Sequence, residues 1–160
     1  MILTTLPAFV SGCLPPDTPT PEAHTFTRLQ TLPLPEGYTW ISHHPLHDQP
    51  SYTYGISTLQ IKENQHSFAV HKHFPLLAPA LVHWKNHCPQ ALEWQAWTPE
   101  TDFLEAAFVR LDPELLLQKP DPEIPHLAAL LQGLDPWECG LFSFFQPESI
   151  GEIIFNNWDK

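Results

Sequence analysis

Nineteen prolines spread through 160 residues limit every element this chain can build. Proline fixes φ and lacks a backbone donor, so it breaks helix interiors and is confined to strand edges, strand starts and turns. Only six glycines accompany them. The imbalance favours short elements joined by rigid turns. The prolines form no single biased tract, and 42% of the residues are hydrophobic with 12% aromatic. That composition supports a packed core rather than a disordered chain. The length fits one domain.

Periodicity divides the chain into an N-terminal segment with a Pro-rich arm, 1–23, and a globular region, 24–160. Residues 14–23 hold four prolines and read as an extended arm behind an apolar N-terminal strand. From about 24 to 73 the pattern is β. Tyr38 to Ile41 and Tyr52 to Ile61 are rich in β-formers, and Gly55 would mark a bulge. A polar turn at 62–65 would return the chain along 66–73 as a hairpin. Residues 75–88 predict a helix, because Leu77, Leu81, Trp84 and Cys88 share one helical face. Pro79 would strain its start. Residues 92–97 predict a strand. In 98–111, Thr98 and Pro99 followed by acids read as a helix start, whereas 103–111 alternates as a strand; a hairpin with its loop at 98–102 is the preferred reading. Asp112 caps a helix, and another runs from Pro122 or Pro125 to Gln132, stopped by Gly133. Residues 139–145 predict an apolar, central strand. Ser149 and Glu152 form a capping box for a last, amphipathic helix whose buried stripe is Ile150, Ile153, Ile154 and Trp158. The expected class is α+β, an antiparallel sheet with helices packed on one face.

The net charge is −11, with seven Lys and Arg, no two of them adjacent. Nucleic-acid binding relies on cations that neutralise phosphates, and so does docking to anionic membranes. Neither fits. No apolar run reaches the roughly 20 residues of a transmembrane helix. Cys13, Cys88 and Cys139 are too few and too scattered for a disulfide framework, which points to a reducing, cytoplasmic setting. Val10-Ser11-Gly12-Cys13 looks like a bacterial lipobox, so lipidation at Cys13 is the alternative. The stretch before it is short, contains Pro7 and lacks a basic residue.

Nine of the ten histidines lie between His24 and His87. His71 and His73 would share a strand face and His83 and His87 a helix face, so the four could converge on zinc. Phe68 and Val70 would take the core side of that strand, leaving His71 and His73 in solvent. A second candidate metal set is His43, His44, His47 and Asp48, in a loop stiffened by Pro45 and Pro50. No nucleophile elbow, phosphate loop or zinc-protease spacing is present. Catalytic and cofactor-binding residues are therefore not assigned. Residues 1–89 hold five acids against four Lys and Arg, and residues 90–160 hold thirteen against three. Glu100, Asp102, Glu105, Asp121 and Glu123 are the expected partner-binding acids. The sequence thus predicts a non-catalytic binding or assembly module that shows an acidic surface to a basic protein, with a second, histidine-bearing face. The alternative is a small zinc-type enzyme using the clustered histidines.

Overall fold

A computed structural model of the chain describes residues 3–19 and 22–157. Helix α1 (Thr25–Thr31) precedes five strands, β1 (Tyr38–His44), β2 (Tyr54–Ile61), β3 (Asn64–His71), β4 (Leu76–Lys85) and β5 (Cys88–Trp94). These lie side by side in chain order, each antiparallel to the next. A 3₁₀ helix (Pro99–Ala106) and a two-residue strand, β6 (Val109–Arg110), follow, and β6 runs parallel to the start of β4. Helices α2 (Pro113–Leu116), α3 (Pro125–Leu131), α4 (Pro136–Phe145) and α5 (Ile150–Ile154) complete the chain. No described element exceeds ten residues, as the proline spacing demands. The class is α+β with a predominantly antiparallel sheet. No helix among the described residues is long and apolar enough to cross a membrane.

Both faces of the sheet are covered. Tyr54, Ile56, Ala69, Leu76 and Ala78 pack on one side against Leu116, Leu127, Leu130, Ile150, Ile153 and Ile154 of the C-terminal helices. Leu59, Ile61, Phe68, Val70 and Leu77 pack on the other against Phe26 and Leu29 of α1 and Leu104 of the 3₁₀ helix. The four C-terminal helices thus share one face, and the opposite face takes α1 and the 3₁₀ helix.

This double cover explains two differences from the sequence reading. Residues 75–88 are not a helix. Residues 76–80 are buried on both sides of the sheet, so they read as a continuous apolar run rather than an alternating one. The run then turns at Asn86 and His87, both with positive φ, and returns as β5. That is the geometry of a two-residue type I′ turn, here without the usual glycine. The strand expected at 92–97 accordingly starts at Cys88 and ends at Trp94.

The second difference is at 139–145, where the expected central strand is the body of helix α4. Asp135 caps it by accepting from the Trp137 amide at 2.9 Å, Glu138 reaches back to the Asp135 amide at 3.0 Å, and Pro136 occupies the first turn. This reciprocal box outweighs the β-character of the aromatic run. The 98–111 hairpin is likewise replaced by the 3₁₀ helix, because Thr98 and Pro99 act as a helix start. Asp112 occupies the N-cap position of α2 but makes no side-chain cap bond.

Smaller corrections follow from close packing. Register shifts occur in β1, between Trp40 and Ser42, and in β4, between His83 and Trp84, rather than at Gly55. A Cβ at Gly55 would stand 2.3 Å from the His44 carbonyl oxygen, so the glycine permits β1 to leave the sheet there. In α5, Ile150, Ile153 and Ile154 are buried, and so is Gly151. The Ser149 hydroxyl accepts from the Glu152 amide, while the Glu152 carboxylate accepts from Glu148 N–H rather than closing the expected box. Trp158 lies outside the described residues.

The N-terminal segment forms turns rather than a strand. Leu6 and Val10 are fully buried in the core under the C-terminal helices. Polar contacts to four residues pin the segment. Leu6 N–H donates to the Leu130 carbonyl. His71 Nε2 bonds the Val10 carbonyl at 2.7 Å. Asn156 donates to the Ser11 carbonyl at 2.9 Å. The buried Glu138 carboxylate accepts from Phe9 N–H, Ser11 N–H and the Ser11 hydroxyl. Cys13 is buried beside this network, and burial pushes its thiol pKa up.

Candidate functional site

The histidines are dispersed by the strand that replaces the expected helix. His71 is wholly enclosed instead of facing solvent, because the C-terminal helices cover its side of β3. Its Nδ1 accepts from the amides of His73 and Phe74 at 3.1 and 3.2 Å, so Nε2 carries the proton given to Val10. Both ring nitrogens are committed to backbone. Burial lowers its pKa to about 3. His73 sits two residues on, with its ring 6.0 Å from that of His71 and Nδ1 3.2 Å from the Glu22 carbonyl oxygen. His83 and His87 are exposed on the β4–β5 hairpin, His83 at 2.8 Å from Glu93 and His87 in the turn.

The second set divides as well. His43 meets the Ser57 hydroxyl at 2.7 Å and leans on Trp40, whereas His44 lies against Trp84. His47 packs its edge near Phe26, and Asp48 is exposed. Among the described residues, no group of three or more His, Cys, Asp or Glu side chains is arranged to hold a metal ion.

The candidate partner-binding acids fall on elements that pack against opposite faces of the sheet. Glu100, Asp102 and Glu105 belong to the 3₁₀ helix, where both Asp102 and Glu105 engage Arg110. Arg110 also stands over the Trp97 ring. Glu100 lies 3.7 Å from His66. Asp121 and Glu123 belong to the loop before α3, where Asp121 accepts from the Glu123 amide. The acids and histidines therefore meet at His66 and His83 and do not form two separate faces.

Helix α4 has an orientation the sequence reading missed. Its one carboxylate, Glu138, is fully buried. Phe142, on the same inward face, packs partly against the core. Trp137, Gly140, Leu141 and Phe144 follow one another at helical spacing on the outward side. Trp137 is 40% exposed and Phe144 80% exposed. A surface helix ordinarily buries its apolar stripe and solvates its charges, and α4 does the reverse. Residue 117 adds to the apolar surface of the helical layer, since Leu117 is 68% exposed. Between Lys119 and Lys160 the chain has no Lys or Arg, while Asp121, Glu123, Asp135 and Glu148 are all at least partly accessible.

No protein-family model, curated protein or solved structure matches this chain. The signals for α4 were nevertheless present in the sequence. Asp135-Pro136-Trp137-Glu138 spells a capping box, and a helical projection from it places Glu138 and Phe144 on different faces.

Proposed function

We propose that the protein is a binding module whose helix α4 docks a basic protein partner. The observation that carries this reading is the inversion of α4, which buries Glu138 and presents Trp137 and Phe144 to solvent, with Leu141 half-buried between them. Exposed aromatic clusters rimmed by polar groups are the common form of protein interaction sites, and Trp is prominent among binding hot spots. The surrounding charge selects the partner. Asp135 caps α4, Glu148 follows its C-terminal end, and no Lys or Arg lies between Lys119 and Lys160, so a complementary surface is apolar at its centre and Lys- or Arg-bearing at its rim. A second copy would bring like charges together, and an anionic bilayer would be repelled.

Photo-crosslinking tests the reading. A photoreactive residue at position 144 is expected to yield one heterologous adduct in cells, identified by mass spectrometry, whose contacting surface is basic. The same probe at Gln30 on α1 is expected not to yield it. Self-adducts or lipid adducts alone, or the same products from both positions, would overturn the proposal.

A further inference from the structure

Dispersal of the two histidine sets leaves one unassigned juxtaposition. His73, two residues past the end of β3, and His47, from the β1–β2 connection, line a single cavity of about 260 Å³ with Lys72, Tyr52 and Thr53. Lys72 is buried, and its Nζ donates to the Leu46 carbonyl at 2.6 Å and the Gln49 carbonyl at 3.0 Å. An ammonium carries three donors, so one remains. Among the described residues Lys72 makes no ion pair within 4 Å. Asp48 acts on it only through longer-range attraction. Buried charges are normally paired. Among the described residues, no carboxylate side chain lines the cavity.

We propose that this cavity is a binding site for a small oxyanion, a carboxylate or a phosphate group, with Lys72 as its charge partner. The site is independent of the α4 surface. His73 gives its Nδ1 proton to the Glu22 carbonyl and keeps Nε2 as an acceptor in the neutral ring. That arrangement suits a ligand carrying a hydroxyl beside its charge, such as a hydroxy acid or monohydrogen phosphate. The volume holds on the order of eight or nine water-sized groups, which fits a small metabolite rather than a nucleotide. Burial lowers the Lys72 pKa to about 8, so the side chain is still mostly cationic at neutral pH.

Amide NMR titration of the intact protein with inorganic phosphate and, separately, with lactate, each at constant ionic strength, tests the proposal. Saturable shifts confined to residues 9–14, 46–53 and 72–73 are expected for at least one probe. The probe that saturates identifies the anion class. Lys72→Gln should weaken that binding by about tenfold or more, as loss of a charged hydrogen bond does. Because Lys72 also ties down the 46–49 loop, wild-type protein supplies a second readout, a rise of the Lys72 ammonium pKa on saturation. Shifts that never saturate, that scatter over the surface, or that leave the Lys72 titration unmoved would overturn the assignment.

Discussion

His71 shows how a side chain chosen for chemistry can instead serve architecture. Its ring links β3 to the N-terminal segment, and neutrality is required because two amides point at Nδ1. An ordinary histidine takes up a proton near pH 6.5, whereas buried His71 resists protonation down to about pH 3. In that window the unfolded chain binds the extra proton, so stability must fall as pH falls. By pH 5 the loss is about 2 kcal/mol from this residue alone. Urea unfolding at pH 7.5 and pH 5 should show it, and His71→Gln should remove that increment whatever its effect at neutral pH. Glu138 makes a similar case. Glu138→Ala removes the buried carboxylate that accepts from Phe9 N–H, Ser11 and the Asp135 amide, and denaturation should report a loss of about 3 kcal/mol or more. Neither role was legible beforehand. Alternation correctly sends Phe68 and Val70 to one core, but only the long-range packing of the C-terminal helices shows that the other face is a core too.

At the scale of elements, local signals succeeded where turn and cap chemistry agreed with the hydrophobic pattern. The Tyr54–Ile61 and Asn64–His71 hairpin and the Pro125–Leu131 and Ile150–Ile154 helices follow from the sequence with small shifts. The helix expected at 75–88 and the strand expected at 139–145 exchanged type because both are short apolar runs, for which periodicity alone does not decide. Pro79 was the cue in the first case and the Asp135 box in the second. The inverted α4 makes a direct prediction. Trp137→Ser with Phe144→Ser should change unfolding free energy by less than about 1 kcal/mol, because exposed positions contribute little to the fold. A loss of several kcal/mol would mean the stripe is core. The N-terminal segment should behave in the opposite way. Removing residues 1–12 deletes the buried Leu6 and Val10 and the bond to His71. Each such large-to-nothing change costs about 2–5 kcal/mol, against a total of about 5–15. Loss of the cooperative thermal transition is expected.

Across the whole molecule, the division of charge into halves of the chain does not become a division into two faces. The acidity does belong to the C-terminal region, yet folding sends Glu100, Asp102 and Glu105 to one side of the sheet and Asp121 and Glu123 to the layer that contains α4. Arg110 neutralises part of the first group. The second group lies in the same helical layer as the exposed aromatics, with Lys119 two residues before Asp121. Composition could show the acids and count the aromatics. It could not show which aromatics reach the surface, since that depends on which face of α4 turns inward. The most direct test is calorimetric titration of the partner captured from position 144 with wild-type protein, with the Trp137→Ser and Phe144→Ser double variant, and with Asp121→Lys and Glu123→Lys. Binding should weaken by about 2 kcal/mol or more for the aromatic variant, and should weaken and lose salt sensitivity for the charge-reversed one. Unchanged affinity in both variants would contradict the account.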